Sequence, residues 1–328
     1  MRITNIYLTN KVVNSIQINM REIARDQEQL STSRRLLRLS DDPQVMGQLL
    51  SVKATLSYNE QYAKNIDDGI SYLEMADTSM GSLCDLLHQA TEYTIQAAND
   101  TYNAEDRKVI AEQIDKMIDK VVDLANTTVG GRYIYAGMKN DHPPFKRNGD
   151  VITYHGDLNA VIREVAAQTD YRVDVPGVTE ERIYNPPADP DPGAGVFGRG
   201  KDIGQNYYVV YEEGSHEYGG LFQVLFELRD RLNNNDANGL QTSVGELQDE
   251  LNALLKHRVS VGARFRHFES LKTHLLDQEV KLTDTLNKIE GADMAKLSIE
   301  YSQQQLTYNA ALASGAQIMQ TSLLHFLK

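Results

Sequence analysis

The chain has 328 residues, 41% of them apolar, and a formal net charge of −13 with a sequence pI near 5.1. That length supports more than one domain, and the acidic balance argues against nucleic acid or anionic lipid as the main partner, since both would be repelled. A single cysteine, Cys84, excludes an intramolecular disulfide and a four-thiolate zinc site.

The opening, MRITNIYLTNKVVNSIQINM, interrupts its apolar residues with Asn, Lys and Gln, so it lacks the continuous apolar core of a cleaved secretory signal. Nowhere does an apolar run approach the roughly 20 residues that span a bilayer, and no membrane insertion is expected. Export would therefore use a route that does not read an ordinary signal peptide.

Helical periodicity dominates both ends. Val13, Ile16, Met20, Ile23 and Leu30 follow one another at helical spacing, with Gln27 in the polar slot, which predicts a coiled-coil-like stripe. Residues 30–43, LSTSRRLLRLSDDP, interrupt that register with Arg34, Arg35 and Arg38 and then offer Asp42 as N-cap with Pro43 at the first helical position. A second helix follows, with Val45, Leu49, Val52, Leu56, Ile66, Ile70, Leu73, Met80, Leu83 and Leu87 inward; a third begins after Asn103 and buries Ile110, Ile114, Met117, Val121 and Leu124.

Beyond NTTVGGRYIYAG the period changes to that of strands, over residues 132–136 and 151–155 and in AVIREVA and DYRVDV, while residues 184–206 read as a Pro/Gly loop. Helix returns at GGLFQVLFELRDRL and then extends. A further stripe from Val244 through Leu254, Phe268 and Leu282 to Ile289 holds one register for some 50 residues, about 75 Å of helix. After EGAD a last helix carries Met294, Leu297, Tyr301, Tyr308, Leu312, Met319 and Phe326, with Ala310, Ala311, Ala313 and Gly315 permitting close approach. The fold class is mainly α with a β-rich insert: terminal segments 1–42 and 290–328 pair as an antiparallel coiled coil, segments 43–130 and 215–289 form a helical rod, and 131–214 make a small β domain.

Chemistry is sparse. GAGVFG at 193–198 matches G-x-G-x-x-G, but Pro-rich coil precedes it and RGKDIGQ is a poor helix start, so a loop is the better reading than dinucleotide binding. His267 and His274 stand seven residues apart on one helix face, too far for one metal centre. Cys84, beside Leu83 and Leu87, reads as a buried inert thiol, and the basic run from Lys256 through Arg258, Arg264 and Arg266 to Lys272 as inter-helix ion pairs. No cofactor, metal site or catalytic residue is expected.

LSTSRRLLRLSDDP, LANTTVGGRYIYAGMKNDHPPF, VGARFRHFESLKTHLLDQEVKLTDTLNKIEGADMAKL and SQQQLTYNAALASGAQIMQTSLLHFL occur here in the order in which similar segments occur in the flagellin-related axial proteins of the bacterial flagellum. The chain resembles the hook–filament junction family, the hook-associated protein 3 family. Asp41, Asp42 and Pro43 match that family where flagellins tend to have Ala-Ala-Gly after the paired Asp. The resemblance implies an exported, non-enzymatic subunit at the hook–filament junction. Its partners would be further copies of itself, hook-associated protein 1, flagellin and an export chaperone, with contacts through the terminal stripes and the 30–43 connection. Terminal stripes rich in Gln, Asn and Ser would become ordered when neighbours bury them. A filament subunit is the alternative, followed by an enzyme using loop 193–200 and a cytosolic helical scaffold. One position departs: the family pattern has glycine after Ser31-Thr32, and Ser33 here is at odds with a turn of positive φ.

Overall fold

The computed structural model describes residues 2–38, 41–99, 102–180, 195–202, 208–212 and 220–326; for residues 2–6, 8, 9, 180 and 318–326 it describes the backbone alone. The chain divides into two compact units, one of residues 1–59 with 276–328 and one of residues 60–275. Among the described residues no helix is long and apolar enough to cross a membrane, and no group of three or more His, Cys, Asp or Glu is placed to hold a metal ion.

Among the described residues six helices carry the fold: α1 (Arg2–Thr32), α2 (Pro43–Ala98), α3 (Ala104–Ala125), α4 (Leu221–Asn233), α5 (Ala237–Glu290) and α6 (Met294–Phe326). The first unit contains α1, α6 and the adjoining ends of α2 and α5. In the second unit α3 starts on a reciprocal capping box: Asn103 Oδ1 accepts from Asp106 N at 2.9 Å and Asp106 Oδ2 accepts from Asn103 N at 3.2 Å. The inward residues read from the periodicity of α2, α3 and α5 that fall within residues 60–275 pack in its core, where Leu73, Met80, Leu83, Ile114, Leu247 and Phe268 are completely buried.

Between α3 and α4 lie β1 (Thr128–Val129), β2 (Arg132–Tyr133), β3 (Phe145–Asn148), β4 (Val151–Tyr154), β5 (Ile162–Ala166), β6 (Thr169–Arg172), β7 (Thr179–Glu180), β8 (Arg199–Asp202) and β9 (Tyr208–Tyr211). β3, β4, β9, β8 and β7 make one sheet in that order, antiparallel except for the β7–β8 pair, and β5–β6 and β1–β2 are separate hairpins. The strand expectation needs correction: β1, β3, β7 and β9 lie outside the expected strands, and residues 173–175 of DYRVDV leave the ladder after β6. Ile134, Tyr135 and Ala136 are buried but leave the ladder after β2, and Arg199–Asp202, inside the expected 184–206 loop, is strand β8. Residues 184–194 and 203–206 of that loop, with Gly193, lie outside the described residues. The helix that a dinucleotide fingerprint requires after Gly198 is replaced by β8.

The sheet meets the helices through aromatic side chains. Phe145 lies 6.0 Å from Phe222 of α4 between ring centroids, with Phe197 between sheet and helix at 4.9 Å from Phe145 and 5.9 Å from Phe222, and Tyr211 stacks on Phe226 at 4.2 Å. The guanidinium groups of Arg147 and Arg229 stand over Phe226 and are neutralised by Asp115, Asp119, Asp150 and Asp230. On α5, Arg258 pairs with Asp77 at 2.9 Å and Lys272 with Asp67 at 2.7 Å, both ion pairs to α2, whereas Arg264 Nη1 donates to the Asp174 carbonyl beyond β6 at 2.8 Å and Arg266 Nε to the Gly262 carbonyl of its own helix at 3.3 Å. Cys84 is buried, and burial pushes its thiol up. His267 and His274 are exposed, His267 lying 4.8 Å from the Tyr171 ring.

Glu250, half-buried on α5, is raised to about 7 by burial and then by Asp249. A carboxyl raised in the folded state binds its proton more tightly there, so its destabilising charge grows as pH rises from the unfolded value of about 4.3 through 7. Glu250→Gln should raise the unfolding free energy by roughly 1–3 kcal/mol at pH 8 and change it little at pH 4, as read by denaturant titrations at the two pH values.

Candidate assembly surface at the terminal helices

In the first unit α1 and α6 run antiparallel. Among the described side chains α1 turns Val12, Ile16, Asn19, Ile23, Asp26 and Leu30 inward, with buried Gln29 beside Leu30, and α6 answers with Leu297, Tyr301, Gln304, Tyr308, Ala311 and Gly315. Both sets alternate steps of four and three, the narrow seam of a coiled coil. Gly315 permits the close approach: a Cβ there would lie 2.9 Å from Val12 Cγ1 and 3.6 Å from Ile16 Cδ1.

This register corrects the expected stripes. Val13 is 44% exposed, Met20 61% and Leu312 42%; Met294, at the start of α6, is also exposed. Following apolar residues moved the stripe one position over, because Asn19 occupies a seam slot while Met20 beside it does not, and Val12 and Ala311 take the slots expected for Val13 and Leu312. Ile16, Ile23, Leu30, Leu297, Tyr301 and Tyr308 stand where expected. The side chains of Met319 and Phe326 lie outside the described ones.

Asp26 is the costly seam residue. Burial raises its carboxyl above the usual range, Glu22 and Glu300 add to the effect, and Arg25 opposes it. The raised value means that this group's destabilising charge is relieved as pH falls. Replacing Asp26 with Leu should stabilise the α1–α6 pair by about 1 kcal/mol at neutral pH, measured as loss of susceptibility of the pair to limited proteolysis.

The connection between α1 and α2 closes against the one between α5 and α6. α1 ends where Ser33 adopts φ +56°, so the turn forms without the glycine of the family pattern. Beyond it Arg34 and Gly291 make an antiparallel bridge: Arg35 N donates to the Glu290 carbonyl at 2.8 Å, and Ala292 N donates to the Ser33 carbonyl at 3.1 Å. The nearly buried carboxylate of Glu290 lies beneath this bridge and receives Arg34 Nε at 2.9 Å and Lys53 Nζ at 3.1 Å. Buried Gln29 donates to the Arg35 carbonyl at 2.7 Å. Leu36 fills a small core with Met46 and Leu49, flanked by Val45, Leu286 and Ile289.

The two aspartates have different tasks. Asp41 Oδ2 accepts from Arg38 N at 2.9 Å and Leu37 N at 3.1 Å, which holds its carboxyl below the usual carboxylate range. Asp42 caps α2 through its Oδ1 on Val45 N at 3.2 Å, with Pro43 at the first helical position. Asp293 caps α6 likewise, accepting from Ala295 N and Lys296 N at 3.1 Å.

The three arginines therefore separate. Arg34 is committed to Glu290 of its own chain, and Arg35 reaches the Ile289 carbonyl at 3.5 Å. Arg38, with a side chain 75% exposed, comes no nearer than 4.0 Å to Glu28 and borders a groove of about 350 Å³ lined also by Arg21, Arg25, Glu22, Glu28 and Asp41. Sequence reasoning missed Gln29, Lys53 and Glu290, whose identities look like those of any solvated helix; the glycine of EGAD was the one available sign for the bridge. Ser33→Gly should raise the stability of this unit by about 1 kcal/mol, because glycine enters the left-handed region without the Cβ penalty. A urea midpoint shift with unchanged slope would register it.

Comparison with known proteins places these features. Residues 3–140 match the model of the bacterial flagellin N-terminal helical region. The flagellar hook-associated protein 3 of Escherichia coli is 25% identical over 95% of this chain and 97% of its own length. That of Salmonella typhimurium is 24% identical over 98% of each. The flagellar hook-associated protein 3 of Legionella pneumophila has the same fold, with a TM-score of 0.57 at 18% identity over 73% of this chain and 98% of that one. Along nearly its whole length in sequence, and through most of it in fold, the chain is similar to flagellar hook-associated protein 3.

Proposed function

We propose that this chain is a structural adaptor subunit of the bacterial flagellum that joins hook to filament and assembles by packing of its terminal helices. The end-to-end match to hook-associated protein 3 carries this reading, because it includes both terminal helices and both sides of the bridge that connects them to the rest of the unit. The flagellin model matched by the N-terminal segment supports membership of the axial assembly and gives the alternative of a filament subunit.

The finer reading is as follows. The subunit is non-enzymatic, leaves the cell by the flagellar type III route, and contacts its own copies, hook-associated protein 1 and flagellin, with an export chaperone before assembly. The seam between α1 and α6 is polar at Asn19, Asp26 and Gln304, which keeps the pair weak until neighbours cover it. Val13, Met20 and Leu312, exposed beside that seam, are the apolar side chains available to those neighbours, and Arg38 in its charged groove replaces Arg34 as the arginine available to an acidic partner.

Immunogold labelling of isolated flagella should mark a short zone at the base of the filament. A strain lacking the protein should carry hooks without filaments and shed flagellin into the medium. Label distributed along the filament would assign the chain to the filament itself, and filaments that grow normally without it would remove the adaptor reading.

A further inference from the structure

A chain of net charge −13 repels its own copies, so contact between them needs a surface where the local sign reverses. In the unit of residues 60–275 the loop that follows β2 supplies cations for such a contact. Met138 is 64% exposed there, Lys139 is exposed beside it, and Lys146 lines the adjoining basin with His142, His155 and Asp141.

This loop is braced. Gly137 has φ +67°, and a Cβ there would fall 2.2 Å from Asp157 Oδ1, so the turn requires glycine. Asp157 Oδ1 accepts from Met138 N at 2.7 Å, Asp157 N donates to the Ala136 carbonyl at 3.0 Å, and the Tyr154 hydroxyl reaches the Asp157 carbonyl at 2.9 Å. A flexible apolar side chain and an ammonium group are thus held out on a fixed tip.

The same unit carries a recess of the opposite character. A groove of about 390 Å³ between α2 and α5 is floored by Leu73, Val261 and Phe265 and notched at Gly262, where an added Cβ would meet nothing within 4 Å. Its rim is acidic: Asp77 holds Arg258, and exposed Glu74 forms no ion pair among the described residues. Resting on the reading of the chain as a subunit that assembles with its own copies, we propose that the Met138–Lys139 tip of one copy seats in the Leu73–Val261–Gly262–Phe265 groove of the next, with Lys139 facing Glu74. Tip and groove are different patches, so the contact is heterologous and repeats head to tail, as a ring or helix of subunits demands.

Two differently tagged full-length variants, Met138→Cys and Gly262→Cys, each also carrying Cys84→Ser, are matched for thermal melting, mixed at high concentration and oxidised. The mixed disulfide should exceed that of a Val109→Cys control by about tenfold, fall to the control level with Lys139→Glu, and return when the groove partner carries Glu74→Lys. Thr78→Cys on the exposed rim serves as a second groove site. Cross-linking of neither groove variant above the control, or pairing of Met138→Cys chiefly with itself, would overturn the contact. Labelling of flagella is scored separately: failed cross-linking with label at the junction removes the contact alone, whereas cross-linking without flagellar label supports the self-contact and removes the assigned location.

Discussion

The first unit depends on the antiparallel bridge between Arg34 and Gly291. Two connections far apart in sequence meet there through two backbone hydrogen bonds, from Arg35 N to Glu290 O and from Ala292 N to Ser33 O. A pair of hydrogen bonds contributes only about 1–3 kcal/mol in sum, so the bridge acts by fixing geometry. It sets where α1 ends and α6 begins, and hence the register in which their heptads meet. Glu290 is nearly out of water and would be costly without partners; Arg34 and Lys53 make it affordable and tie the α1–α2 connection, α2 and α5 to one carboxylate.

From that fixed point the α1–α6 seam runs outward with a mixed lining. Ile16, Ile23 and Leu297 supply apolar burial, while Asn19, Asp26 and Gln304 return part of it. Glu22 and Glu300 act on Asp26 in the same destabilising direction. A coiled coil built this way has its partner and register specified while little stability is left over, a combination suited to helices that complete their burial against other subunits.

The unit of residues 60–275 is built differently. Its core joins the helix stripes to a cluster of aromatic rings at the sheet, with Arg147 and Arg229 held over Phe226 by four aspartates and Arg258 and Lys272 pairing across helices. Lys139 and Glu74 are among the exposed charges that stand outside these pairs. Rigid presentation matters as much as sign, since a contact formed by a braced loop loses little conformational entropy on docking.

Local sequence determined the long helices, the cap at Asp42, the start of α3 after Asn103, and most of the buried stripe of α5, because each of these is a local matter of spacing and backbone satisfaction. The four quoted segments, in their order, also carried the resemblance that the comparisons bear out. Only the tertiary structure decided which face of α1 turns inward, since a seam that accepts Asn19 and Asp26 cannot be found by following apolar residues to Val13 and Met20. It likewise decided that Ser33 enters the left-handed region, because a bridge made by residues distant in sequence outweighs the preference of one residue, and that Arg34 belongs to Glu290, a pairing with no sequence spacing to announce it. Short strands such as β3, β8 and β9 were hidden for the same reason: each is defined by the neighbour it pairs with, and that neighbour is supplied by the fold.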